Sequence, residues 1–192
     1  MRNVAVMLAC LTITLTVLYG APPARSDTAV QPPGTALIPD GPAPNWIIAD
    51  PGSGAILAER NGYAVSPPAS TIKVLLALAV LDEVNLDATV VASEADADVE
   101  CNCAGIRPGD SYTARQLLDA TLLASGNDAA TTLAELLGGP DAAVAKMNAK
   151  AAALGAGATH AATPSGLDGP GGSGATSPHD LAVIFAAALA NP

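Results

Sequence analysis

Positive charge and aromatic side chains are what this chain is shortest of. Eight Lys and Arg stand against 18 Asp and Glu, for a formal charge of −10, and only 3% of residues are aromatic. No basic patch interleaved with aromatics can be assembled from so few, which excludes nucleic-acid binding. The acid is spread along the chain rather than blocked, which favours solubility and disfavours an anionic membrane surface. Cysteine is scarce too, at positions 10, 101 and 103 only.

Long apolar runs are missing beyond the N-terminus. Arg2 followed by the apolar stretch Val4 to Leu18, with small residues at Gly20, Ala21 and Ala24, reads as a secretory signal over residues 1–26. That stretch is short for a membrane span, so peripheral or no membrane contact is expected. Loss of Arg2 and Arg25 with the signal takes the formal charge from −10 to −12. Residues 27–44 hold many Pro with Gly, Ala and Thr and read as an extended linker. The remainder, residues 45–192, is the length of one domain.

With Cys10 inside the signal, Cys101 and Cys103 remain, and two cysteines in an exported chain suggest a small local disulfide. Asp96, Asp98 and Glu100 alternate beside them, but a calcium loop would need Gly where Cys101 stands and Glu where Arg107 stands. The segment therefore reads as a disulfide-tightened acidic loop, with no metal and no cofactor.

Chemistry first shows in Ser70-Thr71-Ile72-Lys73, where Pro67-Pro68 gives way to an apolar helical run. A helix start offers Ser70 the positive end of the macrodipole, and Lys73 lies one turn on, on the same face. Among Ala and Leu an ammonium loses solvation, its pKa falls, and the neutral amine can serve as a base. The pair supplies a nucleophile and its activator. Taken alone the motif is weak, because Ser before an apolar run is also an ordinary N-cap.

Asn45 to Asp50 and Ala55 to Asn61, joined by Pro51-Gly52-Ser53-Gly54, read as a β-hairpin. From Thr71 onward the pattern is helical. Thr113-Ala114-Arg115-Gln116 is a capping box opening a helix to about Ala124. Further helices run from about Asp128 to Leu137, and from Pro140 to about Leu154. A Gly/Pro loop over residues 163–174 leads to a last helix capped by Ser177-Pro178. Two strands alone make no stable sheet, so the hairpin needs partners.

Ser125-Gly126-Asn127 falls at an interhelical junction about fifty residues after Lys73. S-x-x-K at a helix start followed by S-x-N in such a loop is a far more specific pair than either alone. With it the chain resembles the penicillin-recognising serine acyltransferases, and within them the low-molecular-weight D-alanyl-D-alanine carboxypeptidases. Ile48 to Gly54, Met147-Asn148, Leu154-Gly155, Thr159-His160 and Thr163 to Gly169 extend the resemblance over nearly the whole of residues 45–192.

The resemblance implies a mixed α and β (α+β) fold of the β-lactamase and penicillin-binding transpeptidase type. It assigns Ser70 as nucleophile, Lys73 as base, Ser125 as proton relay and Asn127 as substrate-amide and lysine partner. It implies no cofactor, a peptidoglycan stem peptide ending in D-Ala-D-Ala as substrate, and β-lactams as covalent inhibitors. No acidic residue resembles the deacylating Glu of a β-lactamase; Asp168 fits the carboxypeptidase pattern better. The family's third motif, Lys or His then Thr or Ser then Gly, is absent, since Lys73, Lys146 and Lys150 precede Val, Met and Ala. The fold is therefore expected to be incomplete, a hairpin and helical subdomain without the C-terminal strands. A non-catalytic envelope protein of the same fold is the alternative. His160 and His179 are expected to be structural.

Overall fold

The computed structural model describes residues 33–34, 41–100 and 102–191. The signal read at residues 1–26, most of the linker at 27–44, and Cys101 lie outside the described residues. Strands β1 (Trp46–Ala49) and β2 (Ile56–Arg60) pair antiparallel, with Trp46 opposite Arg60 and Ile48 opposite Ala58. Their turn is built by Asp50, whose carboxylate accepts the Gly52 N–H at 2.9 Å and the Ser53 hydroxyl at 2.8 Å. Gly54 completes it at φ +72°, a conformation costly for any residue with a Cβ.

A 3-10 turn (Ala69–Ile72) runs into α1 (Lys73–Glu83), the centre of the molecule. Leu75, Leu76, Leu78 and Val80 are at most 2% exposed. A helix apolar on every side has to be covered on every side. It is packed by α3 (Ala114–Leu123), α4 (Asn127–Glu135), α5 (Pro140–Ala153) and α6 (Pro178–Leu189). With few aromatics available, the close approaches rest on small residues: Ala129, Ala130, Ala134, Ala143 and Ala151 are essentially sealed. Thr113 caps α3 through the expected box, accepting the Gln116 N–H at 3.2 Å while its own N–H reaches Gln116 Oε1 at 2.9 Å. Ser177 caps α6 by accepting the Asp180 N–H at 3.1 Å.

The sequence suggested a helical middle from Thr71 onward, but the structure places strands there as well. Strand β3 (Thr89–Val91) pairs antiparallel with β4 (Ser111–Thr113), and the acidic segment opens with a short helix α2 (Glu94–Ala97). Strands of three residues leave almost no alternation to read, and their pairing is long-range. Helix α2 carries its own capping box between Ser93 and Asp96.

Between β1 and α6 lies an open apolar cleft of about 550 Å³, lined by Trp46, Ile47, Leu181 and Phe185 among others. Leu189 at its end is 73% exposed. Among the described residues the hairpin pairs with no third strand, and no helix is long and apolar enough to cross a membrane.

Candidate active site

Ala69, the residue before Ser70, adopts φ +46°, a left-handed kink that a non-glycine residue rarely takes. The following 3-10 turn is fastened by the Thr71 hydroxyl, which donates to the Pro68 carbonyl at 2.6 Å. Ser70 is thereby left on an exposed surface while Lys73, one turn on, is only 2% exposed. Ser70 is open and its neighbour is dry.

Lys73 Nζ meets three oxygens: Ser70 Oγ at 2.8 Å, Asn127 Oδ1 at 2.8 Å and the Ser165 carbonyl at 2.9 Å. No carboxylate lies within ion-pair distance of it among the described residues. Burial without a counter-ion disfavours the ammonium and lowers the Lys73 pKa to about 8.

Asn127 opens α4 and is held from the segment before β4. Its Nδ2 donates to the Glu100 carbonyl at 2.7 Å and its backbone N–H to the Asn102 carbonyl at 2.7 Å. Those contacts fix the amide orientation, since Glu100 O can only accept and Lys73 must donate. The same segment is anchored by Asp128, which is 2% exposed. Its carboxylate accepts the backbone N–H groups of Ala104, Gly105, Ile106 and Ala129 at 2.8 to 2.9 Å. Burial alone would raise the Asp128 pKa, but those four bonds outweigh it and hold it below the ordinary value.

The structure therefore brings Ser70, Lys73 and Asn127 into one hydrogen-bonded cluster. Ser125 sits two residues before Asn127 at φ +56° and is half-buried. Among the described residues no hydrogen bond links its hydroxyl to Ser70 or Lys73. Cys103 is disulfide-bonded; Cys101, the partner expected from sequence, lies outside the described residues. The histidines stand apart: His160 pairs its backbone with Ala175, and His179 stacks on Tyr63 with ring centres 4.5 Å apart. Two contributors escaped the reading of the sequence. The Ser165 carbonyl is main chain and has no signature, and Asp128 looks like any acid in a helix's first turn.

The chemistry follows from proton counting. An ammonium can donate to all three oxygens around Lys73. A neutral amine has two N–H bonds and one lone pair, and of the three partners only the Ser70 hydroxyl carries a proton to give. Once Lys73 is neutral, Asn127 and Ser165 take its two hydrogens and the lone pair faces Ser70. That is the geometry of a base beside a nucleophile.

Comparison with known proteins shows the family. Residues 28–191 match the family described as D-alanyl-D-alanine carboxypeptidase. The D-alanyl-D-alanine carboxypeptidase DacB2 of Mycobacterium tuberculosis is 67% identical over 167 residues, 87% of this chain and 57% of that protein. A D-alanyl-D-alanine endopeptidase of Pseudomonas aeruginosa is 33% identical over 87% of this chain and 54% of its own length. The chain thus spans a little over half the length of these relatives. A crystal structure of a Mycobacterium tuberculosis D-alanyl-D-alanine carboxypeptidase superposes with a TM-score of 0.83 at 68% identity, covering 85% of this chain and 62% of the other. That of a Francisella tularensis carboxypeptidase gives 0.75 at 31% identity, covering 88% and 41%. The mixed helix and strand architecture is that of the penicillin-binding peptidases, and the chain belongs to the D-alanyl-D-alanine carboxypeptidase family.

Proposed function

We propose that this chain carries the Ser–Lys centre of an exported serine D-alanyl-D-alanine carboxypeptidase that trims peptidoglycan stem peptides. The observation that carries the reading is the threefold contact of Lys73 Nζ, with two obligate acceptors turning the lone pair of the neutral amine toward Ser70. Ser70 gives its proton to Lys73 as Oγ bonds to the carbonyl carbon of the penultimate D-Ala. The C–N bond then breaks, and the departing amine of the terminal D-Ala takes a proton through Lys73 and Ser125. Water hydrolyses the resulting ester on Ser70. A β-lactam enters the same path, and its opened ring stays attached to Ser70. Export follows from the signal read at residues 1–26, and Cys101 is the proposed partner of Cys103.

Intact-mass spectrometry on the protein from its native source, with and without penicillin, tests the acyl-enzyme. One penicilloyl mass per chain is expected, lost in Ser70→Ala, together with D-Ala release from a pentapeptide ending in D-Ala-D-Ala. An adduct retained by Ser70→Ala would sink the assignment of the nucleophile. The acylation rate should also rise with pH along a limb centred near 8, since the base works only when neutral. A flat profile from pH 6 to 10 would remove Lys73 from that role.

A further inference from the structure

The third partner of Lys73 comes from a turn with an unusual fit. In the turn over residues 163–166, Ser165 is 5% exposed and its carbonyl points at Lys73 Nζ from 2.9 Å. The Thr163 hydroxyl ties the turn on both sides, accepting the Gly166 N–H at 3.1 Å and donating to the Leu167 carbonyl at 2.7 Å. Gly166 itself sits at φ +88°, against the backbone of the nucleophile's own turn. A Cβ placed there would lie 2.0 Å from the Ala69 carbonyl oxygen and 2.5 Å from its carbon. No backbone tolerates that distance, so the contact exists only because residue 166 has no side chain. Ala69 is the kinked residue at φ +46° that presents Ser70.

We propose that Thr163 and Gly166 are positioning residues: their turn aims the Ser165 carbonyl at Lys73 and, seated on Ala69, locks the base to the backbone kink that presents the nucleophile. The inference rests on Lys73 being the base and deepens that reading. Among the described residues every group that meets Lys73 Nζ is neutral: Ser70 Oγ from its own turn, Asn127 Oδ1 from α4 and Ser165 O from the loop. Nearby acids face elsewhere. Asp128 is spent on the 104–106 backbone, while Glu100 and Asp168 are exposed. With no charge partner, exclusion of water is what sets the lysine, and the turn is one wall of that dry site. Loosening it admits water and moves the titration up, toward the value of a solvated lysine.

The chain has three lysines, so 13C labelling at Cε gives three resonances, and Lys73→Met assigns one of them. The titration midpoint of Lys73 is then read in the parent, in Thr163→Val and in Thr163→Ser. The parent should titrate near 8, Thr163→Ser should match it, and Thr163→Val should shift upward by about a unit. Such a shift lowers the neutral fraction at pH 7 about tenfold, so penicillin acylation should fall about tenfold there and recover at higher pH. A merely destabilised fold would not recover with pH. Gly166→Ala should show the same upward shift, or fail to fold; the threonine pair decides in either case. A parent midpoint near 8 with an unchanged or lowered midpoint in Thr163→Val overturns this proposal alone. A parent midpoint near that of an ordinary lysine overturns the base assignment and the proposal with it.

Discussion

A Lys73→Met variant should be acylated by penicillin about 10²–10⁴-fold more slowly than the parent, the range a positioned general base supplies. Methionine keeps the length and volume of the buried stem while removing the amine. Ser70 then keeps its exposed position but loses the amine 2.8 Å from its hydroxyl. The loss should persist at every pH, whereas the parent gains rate through pH 8. Covalent labelling with a fluorescent penicillin, timed at several pH values, measures both. Labelling at the parental rate would mean that another group takes the Ser70 proton.

The same variant has a signature in stability, with the sign fixed by linkage. The folded-state pKa of Lys73 is lowered to about 8 from 10.5, so the folded chain binds the proton less readily than the unfolded one. The cost of the buried ammonium is fully present below pH 8 and disappears as pH rises toward 10.5. The parent should therefore gain up to about 3 kcal/mol from this group across that window. Lys73→Met removes the group and should flatten that part of the stability profile. Chemical denaturation at pH 7.5 and pH 10 gives the comparison.

How much of this was legible beforehand depends on how local each feature is. The hairpin announces itself in Asp50-Pro51-Gly52-Ser53-Gly54, and the start of α3 in the Thr113 to Gln116 box, because a few neighbouring residues determine each one. Ser70 and Lys73 are three residues apart on one helical turn, so their contact follows from spacing alone. The pairing of β3 with β4 does not. It joins Val90 to Tyr112 across a stretch that contains a helix of its own, and neither strand is long enough to alternate. The contact of Asn127 with Lys73 came into view only through the resemblance, since its chemistry depends on α4 being set against α1. The Ser165 carbonyl stayed invisible because every residue has a carbonyl; what distinguishes this one is the fit of Gly166 on Ala69.

Asp128→Ala should lower stability by about 3 kcal/mol, because one buried carboxylate satisfies four backbone N–H groups. For a chain of this size that is a fall in Tm of roughly 10 °C. The sign with pH is opposite to that of Lys73. The Asp128 pKa is depressed in the fold, so its contribution is present above the pKa of an unfolded Asp and is lost as pH falls through the lower folded value. The difference between parent and variant should therefore shrink in acid. Asp128→Asn should not rescue it, since an amide turns an N–H₂ toward N–H donors where the carboxylate had a second acceptor. The effect should also reach the chemistry. Residues 104–106, which Asp128 holds, continue directly from Glu100 and Asn102, the two carbonyls that hold Asn127. Gly126 packs so closely that a Cβ there would lie 2.8 Å from Ala104 Cβ, so segment and α4 are fitted together. Release of the segment frees the Asn127 amide to turn away from Lys73. Thermal melts at pH 7 and pH 3, with acylation rates measured well below the variant's Tm, separate the two consequences. A variant with parental Tm would mean that water replaces the carboxylate on the 104–106 backbone at no cost. A destabilised variant with a parental acylation rate would mean that Asn127 is held without this segment.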